Sequence, residues 1–262
     1  MMEIKIALIT GASSGIGRAL ARFHASQGGN LVIVARNKQR LNQLKAEIEK
    51  ENHVKVMTIA KDLSLANAPQ EIYDEVKANG IEIDYLINDA GLGGRGMFHE
   101  HAAERDIQMI TVNIIALTKL TKLFLPDFIR RGDGKVLNVS STGALVPGPM
   151  QAVYCATKAY VTSFGNAIWK EIEGTGVTLT TLMPGATETE FAKIADMQNT
   201  PLFARTVSPV DVARAGYEGM ILGKINVIAG ISVMQRVILS LAPFIPKRIL
   251  LNQVYNMQTE NK

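Results

Sequence analysis

Thr10-Gly11-Ala12-Ser13-Ser14-Gly15-Ile16-Gly17 is the stretch from which the architecture of this chain can be worked out. Before it, Ile4 to Thr10 reads as a short, almost continuously apolar strand; after it, Ile16 to Gln27 carries a helical pattern. A glycine-rich turn between strand and helix lets the backbone approach a pyrophosphate, and the helix N-terminus supplies N–H donors and positive potential. The glycines are spaced G-x-x-x-G-x-G rather than G-x-G-x-x-G, so by itself the loop also fits a plain tight connection. Its place between the first strand and the first helix favours the dinucleotide reading.

The same residues spell G-x-S-x-G, Gly11-Ala12-Ser13-Ser14-Gly15, the nucleophile elbow of a serine hydrolase. Such an enzyme needs an acid and then a late histidine after its serine. His24, His53, His99 and His101 all lie in the first half of the chain. The hydrolase remains only a weaker third hypothesis.

Outward from the turn, strands and helices alternate. Strands are expected at Leu31–Val34, Val54–Ile59, Tyr85–Ile87, Lys135–Val139, Val177–Leu182 and Ile225–Ile228. Helices are expected over Ile16–Gln27, Lys38–Lys50, Glu71–Ala78, Glu104–Ile129, Ala152–Glu173 and Val210–Leu222. Leu41, Leu44 and Ile48 show the spacing of an amphipathic helix. Strands apolar on both faces and separated by helices argue for an α/β fold, a doubly wound parallel sheet (Rossmann fold). Its boundaries are expected at 1–230 for the cofactor-binding and catalytic domain and 231–262 for an apolar C-terminal extension.

About twenty residues beyond the glycine turn stands Arg36. An NAD site would place a carboxylate here for the ribose hydroxyls, whereas a guanidinium favours the 2′-phosphate of NADP(H). Read alone, Arg36 also fits a solvated residue opening the next helix, the weaker of the two readings.

Tyr154-Cys155-Ala156-Thr157-Lys158 puts a tyrosine and a lysine four apart, on one face of a helix. Ser141 lies thirteen residues upstream, in Asn138-Val139-Ser140-Ser141 at a strand end. With the glycine turn, this set resembles the short-chain dehydrogenase/reductase family over about residues 4 to 230. The resemblance implies an NADP-dependent enzyme acting on CH–OH groups, with Asn113, Ser141, Tyr154 and Lys158 as its catalytic set. It also implies cofactor contacts at Gly11, Ser13, Ser14, Gly15, Ile16 and Gly17, at Arg36, Asp62 and Leu63, and at Asn88, Ala90 and Gly91. Tyr154, Lys158, Pro184, Gly185 and Thr189 complete that set. Asn88-Asp89-Ala90-Gly91 departs from the family's Asn-Asn-Ala-Gly at Asp89, a position expected to support the sheet. Asn113 is expected to hold a water connecting Lys158 to solvent.

The chemistry asks for these residue types. Reduction of a carbonyl by hydride develops an alkoxide, which needs a proton donor and a hydrogen-bond partner. A free tyrosine has a pKa of about 10, and a neighbouring ammonium favours the phenolate. Each residue also has an ordinary structural reading: a snorkelling lysine, a strand-end serine bonding its own backbone, a buried asparagine with a partner. A cofactor-binding sensor or scaffold of the same fold is the rival from another class.

Composition narrows the rest. The chain has 262 residues, a net charge of +4 and 47% hydrophobic residues, enough to fill one large core. The cations are scattered, without the basic stripe of a nucleic-acid binder. Cys155 has no partner for an internal disulfide, which suits a reducing compartment. Met1-Met2-Glu3 opens without a signal-peptide pattern, so the expected localisation is cytoplasmic, with membrane association open. His99 and His101 lack the companions of a metal site, and no metal is expected. Phe191, Ile194, Met197, Leu202 and Phe203 suggest an apolar substrate cleft. The tail from Ile225 to Leu251 is apolar but interrupted by Arg236, Pro243, Pro246, Lys247 and Arg248. It fits a flap over the cleft, an oligomer contact or a membrane-surface segment. The family resemblance implies a homodimer or homotetramer.

Overall fold

A computed structural model describes residues 4–259; the chain start at Met1–Glu3 and the last three residues of the extension lie outside them. Seven strands form one parallel sheet: β1 (Ile6–Thr10), β2 (Asn30–Ala35), β3 (Val56–Ala60), β4 (Tyr85–Asn88), β5 (Gly134–Val139), β6 (Val177–Pro184) and β7 (Asn226–Ala229). Their order is β3-β2-β1-β4-β5-β6-β7. The order reverses between β1 and β4, so a crevice opens there at the strands' C-terminal ends, next to the glycine turn. The doubly wound reading of the sequence is the observed architecture.

Alternate residues of each strand point to opposite faces, and both faces are apolar. Ala7, Ile9, Leu31 and Ile33 pack against α1 (Gly15–Ser26), α2 (Lys38–Asn52) and, later in the chain, α8 (Pro209–Ile221). Leu8, Val32, Val34 and Leu86 pack on the other face, against α3 (Ala68–Ala78) and α5 (Leu117–Arg131), while Met109 of α4 (Ala103–Ile110) joins a separate small cluster with Tyr154 and Cys155. Each fully buried side chain of this size contributes ~1.5–3 kcal/mol by leaving water. The stretch Ala103–Arg131 is long and apolar enough to cross a membrane, but Leu120, Phe124 and Phe128 lie buried in the second core.

The expected single helix over Glu104–Ile129 is interrupted. Thr111–Ala116 forms a π-helical turn between α4 and α5, with Asn113 inside it. The extra residue in that turn re-aims the side chains that follow, a local device that hydrophobic periodicity does not report. α6 (Ala152–Glu171) carries the Tyr/Lys pair. Beyond β6, α7 (Glu190–Ile194) starts at Thr189, whose side chain accepts from the Phe191 N–H. The tail forms two helices, α9 (Val233–Leu241), opened by a Ser232/Gln235 capping box, and α10 (Lys247–Gln258).

Candidate active site

The glycine turn works by close approach. Gly11 and Gly15 have positive φ of 73° and 54°, conformations that suit glycine. Gly17 is instead limited by space: a Cβ there would sit 2.5 Å from Asp89 Oδ2 and 2.6 Å from the Gly11 carbonyl oxygen. Ser14, the residue before α1, makes no side-chain cap, and the first turn of α1 holds no acidic residue. The open N–H groups and the positive end of the helix dipole therefore face the crevice, a fit to a pyrophosphate.

One cavity of about 990 Å³ runs from this turn into the second half of the chain. It is lined by Gly11, Ser13, Ser14, Gly15, Ile16, Arg36, Asp62, Leu63, Ala90 and Gly91. Ser141, Tyr154, Lys158, Pro184, Gly185 and Thr189 line it as well, with Thr189 beside Gly15 and Lys158 beside Gly91. Burial acts to raise the Asp62 carboxyl, but hydrogen bonds from Ser64 and the charge of Arg36 hold it below its ordinary value. Arg36 and Lys61 stand at the ends of adjacent strands and offer cations to one region of the cavity.

Three expected residues do not line this cavity. Gly17 packs under the turn, as described. Asn88 is buried and donates to Asn138 Oδ1 at 2.9 Å and to Thr121 Oγ1 at 3.3 Å, tying β4 to β5 and α5. Asn113 Nδ2 donates to the Leu92 carbonyl and to Thr157 Oγ1, both at 2.9 Å, and its Oδ1 accepts from the Leu92 N–H at 2.8 Å. Its side chain is thus occupied in clamping the loop after β4 to α6.

The structure also corrects the part expected of position 89. The neighbour Asn88 supports the sheet, and Asp89 supports the glycine turn by accepting from the Gly17 N–H. Thr10 Oγ1 fixes this junction by accepting from the N–H groups of Asp89 and Ala90, each at 3.1 Å. Burial pushes the Asp89 carboxyl up to about 7, with the Lys158 charge and the Gly17 N–H pulling the other way. Burial pushes Lys158 down to about 8, with Asp89 opposing.

That coupling sets a pH dependence. Unfolded, Asp89 gives up its proton near its ordinary pKa of 3.8; folded, it holds the proton to about 7. Between these values the folded state binds more protons, so its stability falls as pH rises. Asp89→Asn cannot ionise. Its melting temperature relative to the native protein is expected to climb from about pH 4 to about 7 and then level off, by about 2–4 °C for each kcal/mol of difference. A melting difference independent of pH would show that the carboxyl titrates freely.

Tyr154 lies against Phe191, ring centroids 5.3 Å apart. Lys158 Nζ sits 6.0 Å from the Tyr154 ring centroid and donates to the Val139 carbonyl at 2.8 Å. Among the protein's own groups, burial dominates and holds the phenol above its ordinary pKa, with the Ser141 hydroxyl pulling partly back. The expected lowering by Lys158 is not seen, because desolvation of a phenolate outweighs a cation already engaged with a carbonyl. The Ser141 hydroxyl itself accepts from the Gly143 N–H at 3.0 Å.

Other expectations resolve locally. Cys155 is buried beside Gly143 and Gly148, and burial pushes its thiol up to about 11, the behaviour of a packing residue. His24 Nδ1 is 2.7 Å from Tyr217 Oη, a core pair, and among the described residues no histidine is bonded to Ser13. Phe191, Ile194, Leu202 and Phe203 line the cavity, while Met197 is fully buried and does not line it. Missed by sequence were Lys61, Gln151, Thr187 and the inner faces of α9 and α10, including Ile238, Leu239, Leu250 and Val254. Only the apolar character of the tail hinted at the last group.

Comparison with known proteins fits this arrangement. A short chain dehydrogenase of Pseudocercospora fijiensis is 37% identical over 201 residues, 76% of this chain and 65% of that protein. The very-long-chain 3-oxoacyl-CoA reductase of Mus musculus is 34% identical over 196 residues, 72% of this chain and 61% of its own length. The match thus spans less than two thirds of either relative. A short-chain dehydrogenase from Sphingobium yanoikuyae, solved in complex with NADPH, superimposes with a TM-score of 0.83 at 28% identity, covering 99% of both chains. The sequence pattern described as short chain dehydrogenase matches residues 5–199, from β1 through the cavity-lining segment after β6, and the chain therefore belongs to the short chain dehydrogenase family.

Proposed function

We propose that the protein is an NADP(H)-dependent oxidoreductase that interconverts a carbonyl and an alcohol on a small, apolar substrate. The observation that carries this reading is the convergence of Ser141, Tyr154 and Lys158 on the same cavity as the glycine turn and Arg36. The NADPH in the Sphingobium yanoikuyae relative supports the cofactor, and the named activity of the mouse relative supports an apolar carbonyl substrate.

NADP(H), when bound, supplies a hydride to the carbonyl carbon or accepts one from the alcohol. Tyr154 gives its phenolic proton to the carbonyl oxygen in reduction and takes it back in oxidation. Its raised pKa keeps it protonated at neutral pH, the form that reduction needs. Ser141 donates a hydrogen bond to the same oxygen where charge develops. Lys158, cationic below about pH 8, stabilises the phenolate left behind and offers donors to the ribose hydroxyls. Asn113 holds the loop and α6 at fixed spacing, so its contribution is to positioning. In this reading residues 1–230 are the cofactor-binding and catalytic unit and 231–262 the extension, whose helices α9 and α10 roof the cleft. Ile107, Ile115 and Ile129, exposed on the α4–α5 helix, give a homo-oligomer an apolar face.

Screening ketones and alcohols for a change in NADPH absorbance tests the activity; a protein inert across a broad panel would be the sensor or scaffold instead. Cofactor choice has its own test. Arg36→Asp removes the guanidinium and adds a charge that repels the 2′-phosphate. A charge-assisted hydrogen bond is worth ~1.5–3 kcal/mol, so the NADPH/NADH ratio of kcat/KM is expected to fall about 10- to 100-fold. Unchanged selectivity would remove Arg36 from the phosphate site.

A further inference from the structure

We infer that the outer face of α9, with the corner leading into α10, docks on an anionic lipid surface. α9 is nine residues long, Val-Met-Gln-Arg-Val-Ile-Leu-Ser-Leu, and none of them is buried. Val233, Val237 and Leu241, each four apart, form an outward stripe that Met234 widens and Phe244 extends around the corner. Val233 is 80% exposed and Phe244 84%. The opposite side of the same helix faces the cavity through Ile238 and Leu239. α9 is therefore apolar on both sides. One side roofs the cleft, and the other stands in water, where a contiguous apolar face marks a binding surface.

The charges identify what binds. From Lys224 to Thr259 there is no Asp or Glu, while Arg236, Lys247 and Arg248 fall within or beside the apolar face. Lys247 and Arg248 are exposed, and neither has an ion-pair partner among the described residues. Exposed cations elsewhere are of both kinds: Arg22, Arg40 and Lys77 pair with carboxylates, and Lys38, Lys50 and Lys122 have no ion pair among the described residues. What sets the tail apart is cations beside an apolar face with no acidic residue along its length. An apolar stripe with unmatched cations at its corner is what a helix needs to lie in a headgroup layer. Its aliphatic and aromatic side chains enter the acyl boundary, and the ammonium and guanidinium groups meet lipid phosphates. A second copy of the chain fits less well, because a two-fold contact centred on this corner would bring like charges together. The lipid contact is independent of the chemistry proposed for the cavity.

Sedimentation of the full chain with vesicles tests it, using phosphatidylcholine alone and phosphatidylcholine mixed with phosphatidylglycerol. The protein is expected to pellet with the mixed vesicles, less so as salt is raised. Lys247→Glu with Arg248→Glu is expected to cut that partition by at least about tenfold, and Val237→Ser with Phe244→Ser by a comparable factor. These side chains lie outside the cavity lining, so NADPH binding by both variants should match the native protein, which shows that they fold. Failure of the native protein to pellet with mixed vesicles overturns the inference. So does partition that ignores the Glu substitutions. Loss of a dimer by Phe244→Ser in velocity sedimentation, without vesicle binding by the native chain, would assign the face to a second copy.

Discussion

Tyr154→Phe is expected to lower kcat by about 10²- to 10⁴-fold, the scale of removing a positioned general acid, while leaving the Kd for NADPH within a few-fold of native. The substitution deletes one oxygen and keeps the ring, whose contact with Phe191 and place in α6 do not depend on the hydroxyl. Neither neighbouring proton source can take over: Cys155 is a buried thiol pushed up to about 11, and Lys158 is tied to the Val139 carbonyl. Ser141 would remain to hold the substrate oxygen, so residual turnover above background is expected. Steady-state rates with NADPH and an active ketone, beside fluorescence titration of NADPH, separate the two effects. A mutant that loses binding and rate equally would place the hydroxyl in cofactor binding and remove it from proton transfer.

The second large effect belongs to Gly17→Ala. A methyl group there meets the Gly11 carbonyl oxygen at 2.6 Å and the Asp89 carboxyl at 2.5 Å. Neither can yield cheaply, because one is backbone and the other accepts from the Gly17 N–H itself. The N-terminus of α1 must move outward, and the pyrophosphate loses its donors. Overpacking of this kind costs ~1–3 kcal/mol in stability, and NADPH affinity is expected to fall by about 100-fold or more, since each ~1.4 kcal/mol is a factor of ten. Gly28→Ala is the matched control. Gly28 has a positive φ of 81° but nothing within 4 Å of the place a Cβ would take, so it should cost stability without touching NADPH affinity. Native affinity in Gly17→Ala would mean that the turn does not hold the dinucleotide.

The two variants probe parts of the site that are legible in the sequence to very different degrees. Tyr154 and Lys158 can be read because a helix fixes the relation of residues four apart whatever surrounds it. The glycine turn can be read for the same reason, since strand, turn and helix are contiguous and the dipole of α1 follows from its direction alone. The contact that makes Gly17 indispensable cannot. It reaches Asp89, just past the end of β4 and 72 positions along the chain by difference of residue numbers. The family resemblance gives position 89 to the sheet, whereas the chain just past β4 turns its side chain towards the glycine loop.

Local periodicity, and chemistry within a few residues, carry the alternation of strands and helices and the parallel sheet buried on both faces. They also carry the kinds of residue offered to cofactor and substrate, so the chain alone was enough for these. Packing settled everything else. It put Asn113 in a π-helical turn and engaged its side chain with Leu92 and Thr157, let burial raise Tyr154 against the lysine beside it, and laid α9 over the cavity with its other side outward. Each depends on which groups meet across the fold and how much water is left between them. That balance of contact and desolvation is a property of the packed molecule, and no window along the chain contains it.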